Sequence, residues 1–306
     1  MIVRKYLSFR KIVELTWRRM LVVAAAASFV TALHKEAGLD SVCLPAAPGT
    51  VLGTAVAILL GFRNNSAYDR WWEARRLWGA LVNDSRSVAR QALTFCSLKH
   101  AANETAAALV SFQRQLVYRQ IALAHALCAH LRGQDAPAAA APFLDDEEVA
   151  RLRRQKNVPA ALLHEQGRQL QQGLERGFVD DFRHVQVDGR LSNLTDTVGG
   201  CERIKNTVFP RQYGYFTWLF TWVFILLLPF SLVKDLGYLT IPAALIIGFV
   251  FMALEMVGAR IENPFENSIN DIPMSAIART IEINLRQQLG EEKLPEPVAP
   301  VNGFLY

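Results

Sequence analysis

The sequence has no paired cysteines. Its four, Cys43, Cys96, Cys128 and Cys201, lie far apart with no C-x-x-C between any two. That spacing supports neither a disulfide framework nor a zinc site. Common enzyme signatures are missing as well: there is no G-x-S-x-G, no P-loop, no H-E-x-x-H and no dinucleotide fingerprint. No stretch alternates with period two for long enough to make a strand, so a β fold is excluded. The basic residues form no stripe interleaved with aromatics, and a formal charge of +5 therefore does not point to nucleic acid. The six histidines are scattered. His125 and His130, five apart on a helical segment, are poorly spaced to share a face and read as surface or packing residues.

Charge is almost absent from two long runs, and that absence carries information. A span needs roughly 20 apolar residues to cross about 30 Å of hydrocarbon. Tyr213–Val233 meets this with no charge, and Gly237–Ala259 meets it with only Glu255 inside. The few residues between them around Asp235 make the pair an antiparallel hairpin. Two weaker candidates lie earlier. Met20–Leu33 is short and alanine-rich but flanked by Trp17 and arginines suited to an interface, and Leu44–Phe62 is rich in Gly, Ala and Thr. A signal-peptide core is the competing reading of the first, but 19 residues make a long basic leader. With four spans, every Lys and Arg of the 33 except Lys35 and Lys234 falls on one side. The positive-inside rule makes that side the cytoplasm, holding both termini.

The expected layout is an N-terminal amphipathic segment with two transmembrane helices over 1–66, a helical cytosolic region over 67–211, two further transmembrane helices over 212–260, and a C-terminal helix and tail over 261–306. Between Thr50 and Phe95 there is no proline, so one helix is expected to leave the membrane and continue. Asn103 reads as an N-cap for a helix to Leu131, and Gly133–Pro142 as a linker. Asp145–Glu148 precedes Arg151, Arg153 and Arg154, an order that suits a helix dipole better than a metal. Further helices are expected from Pro159 and over Leu191–Lys205. Met274–Leu289 is amphipathic, with Ile277, Ile281 and Leu285 on one face. The proline-bearing tail from residue 294 reads as extended. The fold class is all-α.

Thr54, Ile58 and Phe62 fall at i, i+4 and i+8, a single helical stripe. Gly53, Ala55, Ala57 and Gly61 around it are small enough for close helix packing. Asn65, Ser66, Asp69 and Glu73 carry the same side onward with polar and acidic groups. A hydrophobic constriction opening onto a charged, wetted vestibule has this pattern. Core residues under the hairpin would have it too, and periodicity alone leaves both readings open.

Gly61-Phe-Arg-Asn-Asn-Ser-Ala-Tyr-Asp-Arg-Trp-Trp-Glu-Ala-Arg, Leu77-Trp-Gly, Gly199-Gly-Cys-Glu-Arg-Ile, Glu262-Asn-Pro-Phe and Asn270-Asp-Ile-Pro together resemble the bestrophin family in its bacterial branch, from Met1 to about Leu289. The resemblance implies a homopentameric ion channel in the inner membrane, passing small monovalent ions, with four transmembrane helices per subunit and a central pore. It implies a neck at Thr54, Ile58 and Phe62, with Thr54 standing where an aliphatic residue is usual. It also implies a second constriction ahead of Gly199, which counting back puts at Phe182 or, one turn on, Val185. Animal members supply an acidic cluster to a calcium clasp after Asn-Pro-Phe. Here only Glu266 and Asp271 remain, too few carboxylates for a site that wants six to eight oxygens, and no cofactor or metal is expected. The expected partners are copies of the same chain, membrane lipid and the ions. The resemblance suggests anions, as in the chloride channels of animal members, but the residues leave ion sign open, because Asp69 and Glu73 stand among Arg63, Arg70 and Arg75. A cation channel of the same build, and a membrane-anchored receptor or scaffold without conductance, are the other readings.

Overall fold

The computed structural model describes residues 9–101, 103–301 and 303–305. The basic residues Arg4 and Lys5 lie outside that range. All regular structure among the described residues is helical, apart from one isolated bridge between Val301 and Phe304 in the tail. Among the described residues, three stretches are long and apolar enough to cross a membrane: Thr16–Lys35, Asp40–Phe95 and Arg211–Ile261.

Two compact units result. The first takes the described residues up to Trp71 together with Val208–Asn263. It contains α1 (Phe9–Lys35), the first part of α2 (Ala46–Phe95), α8 (Arg211–Leu236) and α9 (Thr240–Ile261). The turn between α8 and α9 is a short 3₁₀ segment, Gly237–Leu239, entered by Gly237 at φ 53°. Phe224 meets Phe251 with ring centroids 4.6 Å apart, and Gly248 faces Ile225. Those pairings run in opposite directions along the chain, so α8 and α9 are antiparallel, as the sequence predicts. Val23, Ala27, Val56, Leu60, Phe224, Ile225 and Met252 form the core of this unit. Small residues set the close approaches. A Cβ on Gly53 would lie 2.8 Å from the Phe224 ring, and one on Gly49 would lie 2.9 Å from the Ser231 hydroxyl. Ala55, Ala57 and Gly61 are exposed instead, so of the four small residues expected to serve packing only Gly53 does so within the chain.

The second unit takes Trp72–Thr207 and the described residues from Pro264 onward. It holds the rest of α2, then α3 (Ala106–Leu131), α4 (Ala136–Ala140), α5 (Asp146–Leu152), α6 (Val158–Glu175), α7 (Asp181–Asn206) and α10 (Met274–Gln288). The α3 cap is Thr105, whose hydroxyl accepts from Ala108 N at 3.1 Å. Asn103 therefore does not cap it, because Thr105 supplies the acceptor two residues later. The stretch expected to be a linker contains α4 and a 3₁₀ turn, Ala141–Phe143. Asp135 caps α4 and the alanines sustain a helix that the flanking Gly and Pro had hidden. Helix α7 starts at Asp181, ten residues before the apolar spacing becomes readable, because Asp180 caps it by accepting from Arg183 N at 3.0 Å.

Polar groups inside this unit are joined in chains. Gln166 donates to Gln120 at 2.9 Å, Gln120 donates to Ser85 at 2.8 Å, and Ser85 donates to the Leu81 carbonyl at 2.5 Å. Arg119 forks onto both oxygens of buried Glu148, at 2.6 and 2.7 Å. Asp145 caps α5, so the acidic run is occupied by helix-start and ion-pair roles. His125 meets Glu282 of α10 at 3.1 Å and stacks on Phe143, while His130 sits 3.5 Å from Glu202 of α7. Both are packing residues on different faces of α3.

Burial raises the Glu282 pKa, but His125, Arg279 and Arg286 outweigh it and hold the carboxyl below its ordinary 4.5. A group held low in the folded state stabilises the fold above its unfolded pKa, and that contribution is lost as pH falls through the folded pKa. Glu282→Gln is therefore expected to lower the melting temperature at neutral pH. The gap from the unsubstituted protein should close below pH 4.5. A gap independent of pH, measured by thermal unfolding in detergent, would show that the charge contributes nothing.

Candidate pore face of helix α2

Helix α2 is 50 residues long. A run from Thr50 with no proline lets its ladder continue, and Pro48 sits in the first turn, where its missing N–H costs nothing. At 3.6 residues per turn, Thr54, Ile58, Phe62, Asn65 and Asp69 fall within a sector of about 80°, with Ser66 about 40° beyond it. The buried residues Val56, Leu60, Arg63 and Ala67 cluster about 170° away. The two faces are opposed: one packs on the chain's own helices and the other is bare.

Ile58 is 53% exposed and Phe62 is 62% exposed. Neither belongs to the core under the hairpin, so the packing alternative fails for both. Thr54, Asn65, Ser66 and Asp69 are exposed on the same side. The Thr54 hydroxyl donates to the Thr50 carbonyl at 2.9 Å, so its hydrogen-bonding capacity is turned back onto its own helix. Glu73, in the second unit, is half-buried and ion-paired with Arg203 of α7. Phe182 and Val185 stand in the first two turns of α7, 87% and 68% exposed.

Of the arginines that left ion sign open, Arg70 and Arg75 are half-buried. Arg63 is 4% exposed, on the packed face. Its guanidinium donates to Glu255 at 3.3 Å and to Glu262 at 3.1 Å, and Arg19 reaches the other Glu255 oxygen at 3.1 Å. Gly214 leaves the space for it, since a Cβ there would lie 3.4 Å from the guanidinium. Sequence reasoning noted Glu255 only as an interruption of a span. An acid inside an apolar run is itself a signal that a buried base must be found for it, and Arg63 is that base.

The motif glycines and the Asn-Pro-Phe loop act locally. Gly200 lets α7 approach Leu77, whose methyls would be 3.0 Å from an added Cβ. Phe265 is buried, and Asp271 accepts from Ser268 N at 3.0 Å and from the Ser268 hydroxyl. Glu266 pairs with Lys205 at 2.7 Å. One carboxylate is thus tied to a lysine and the other folded into its own loop, a pair that does not fit the converging oxygens of a calcium clasp.

Residues 6–287 match the family described as "Bacterial/Fungal Bestrophin protein". The voltage-dependent anion channel-forming protein RSc3414 of Ralstonia nicotianae is 34% identical over 308 residues, 98% of each chain. The voltage-dependent anion channel-forming protein YneE of Escherichia coli K12 is 34% identical over 83% of this chain and 80% of its own. A bacterial bestrophin homologue from Klebsiella pneumoniae, solved by Zn-SAD phasing, superposes with a TM-score of 0.80 at 30% identity, covering 90% of this chain and 98% of that one.

Proposed function

Because the chain belongs to the bacterial and fungal bestrophin family, we propose that it is one subunit of an anion-conducting membrane channel. The family and its named relatives are channels, not enzymes. The observation that supports the pore reading is the bare stripe of α2, where Ile58 and Phe62 lie exposed opposite the face that packs. One helix cannot enclose a path. Several copies must meet about an axis, each presenting the same face, and the family resemblance supports five. In this reading α1, the first part of α2, α8 and α9 are the four membrane spans of a multi-pass inner-membrane protein. Residues 67–211 and 261–306 are cytoplasmic, as are both termini.

Thr54, Ile58 and Phe62 form the neck, and Asn65, Ser66, Asp69 and Glu73 line the vestibule below it. Phe182 or Val185 narrows the cytosolic exit. An ion in such a neck sheds or squeezes its hydration shell beside carbon, which makes the ring a barrier of low wettability. The names of the relatives favour anions. A second reading, cation conduction through the same neck, is favoured by one specific observation: Asp69 stays on the bare stripe while Arg63 is drawn away from it.

Purified protein in liposomes, loaded separately with chloride and with sodium, tests this directly. Chloride efflux exceeding sodium efflux is expected, from a species whose detergent-corrected mass equals five chains of 34.2 kDa. The reverse order of fluxes selects the cation reading. A monomer, or an oligomer without flux of either ion, removes the channel and leaves a receptor or scaffold.

A further inference from the structure

Three side chains at the connection between α1 and α2 converge without serving the pore. His34 is in the last turn of α1, Asp40 opens the 3₁₀ turn Asp40–Val42 that follows, and Cys43 caps that turn. In a 3₁₀ turn residues three apart are eclipsed, so Asp40 and Cys43 share one side of it. The backbone holds that side towards His34. Leu39 N donates to the Leu33 carbonyl at 3.1 Å, Cys43 N to the Asp40 carbonyl at 3.1 Å, and Leu44 N to the Phe230 carbonyl at 3.0 Å. His34 Nδ1 lies 3.3 Å from Asp40 Oδ1 and 3.5 Å from Cys43 Sγ. One ligand atom from each residue falls within 4.8 Å of the other two.

We propose that His34, Asp40 and Cys43 bind a divalent ion of zinc type, with a fourth position open to water. With Zn–S of about 2.3 Å and Zn–N or Zn–O of about 2.0–2.1 Å, the edges of a tetrahedron are about 3.5 Å for N···S and about 3.3 Å for N···O. The two separations from His34 match those edges, and the third, between Asp40 and Cys43, is within 4.8 Å. A thiolate and an imidazole beside a single carboxylate select a borderline-soft metal over calcium or magnesium, which want oxygen alone. Binding replaces the thiol proton of Cys43 by a metal–sulfur bond and releases that proton to solvent. The bound ion clips the end of α1 to the start of α2. The other three thiols cannot mimic the site. All are buried, and burial pushes Cys96 up to about 11, Cys201 up to about 12, and Cys128 upward as well.

Cobalt(II) titrated into the full-length protein in detergent reports the site. One equivalent per chain is expected to give intense visible bands of a four-coordinate ion, with a thiolate charge-transfer band that Cys43→Ser abolishes. A second measurement needs no folded variant of Cys43. Zinc is expected to slow maleimide labelling of Cys43 more than tenfold, chelator to restore it, and His34→Ala to remove the protection. Weak six-coordinate cobalt bands overturn the proposal, as does a charge-transfer band that survives Cys43→Ser. Labelling at one rate with and without zinc also overturns it. None of these readouts depends on conduction, so they stand apart from the channel reading.

Discussion

Ile58→Ala and Phe62→Ala are expected to increase ion flux while leaving the oligomer intact. The two halves of that result have separate causes. Within the chain, Ile58 and Phe62 are more than half exposed and touch little of the core, so truncation opens no internal cavity. A buried Ile or Phe cut to alanine would instead cost roughly 2–5 kcal/mol through lost contacts and the void left behind. In the proposed neck, each truncation would be repeated around the axis, widening the ring and admitting water where apolar carbon excludes it. Every 1.4 kcal/mol taken off the passage barrier is about tenfold in rate, so even a modest gain in hydration is large in flux. Phe62→Ala removes the bulkier group and should act more strongly than Ile58→Ala. Thr54→Ala should act least, because its hydroxyl is already engaged by Thr50. The measurement is anion efflux from liposomes at matched protein content, with melting temperature and detergent-corrected mass recorded beside it. Intact oligomers with unchanged flux would mean that the stripe faces lipid or another subunit.

Helical periodicity made the stripe visible in the sequence, though not that it is bare, because 3.6-residue spacing inside one unbroken helix is the most direct message a sequence carries. The hairpin of α8 and α9 was equally legible, since two charge-free runs with a minimal connection have one way to fold back. What periodicity cannot say is which of two opposed faces meets the protein. Arg63 shows this: its neighbours Phe62 and Asn65 lie on the bare face, while its own position, about 100° from Phe62, turns it into the packed one. Its partner Glu255, on a helix almost two hundred residues away, decides its environment. Segment ends were less readable for a related reason. The α4 helix in Gly133–Pro142 depends on the Asp135 cap, and α7 begins at the Asp180 cap well ahead of its apolar spacing. The His34, Asp40 and Cys43 group crosses from an α-helix into a 3₁₀ turn, and no single period connects residues on the two sides of such a junction.

Removing Arg63 alone is expected to destabilise the protein severely, whereas removing it together with its partner is not. In Arg63→Met the Glu255 carboxylate keeps only Arg19, whose side chain is 37% exposed, and stays 7% exposed itself. Leaving a buried charge short of its partner costs about 3–5 kcal/mol, because the desolvation penalty persists after the Coulomb attraction has gone. Glu262, at 21% side-chain exposure, can reach water and adds less. In the double variant Arg63→Met with Glu255→Met, no buried charge remains at that contact and Arg19 turns to solvent. Replacing both members of a buried pair by apolar groups of similar volume is often neutral or better. The double variant should therefore melt well above the Arg63→Met single variant, a coupling larger than additivity allows for neighbouring residues. Thermal unfolding of the four proteins in detergent measures it, with ion selectivity from liposome flux as the companion readout. If Arg63 faced the pore, the single substitution would alter the chloride-to-sodium ratio and leave the melting temperature near that of the unsubstituted chain. That pattern would place a fixed positive charge on the conduction path and reverse the assignment of the two faces of α2.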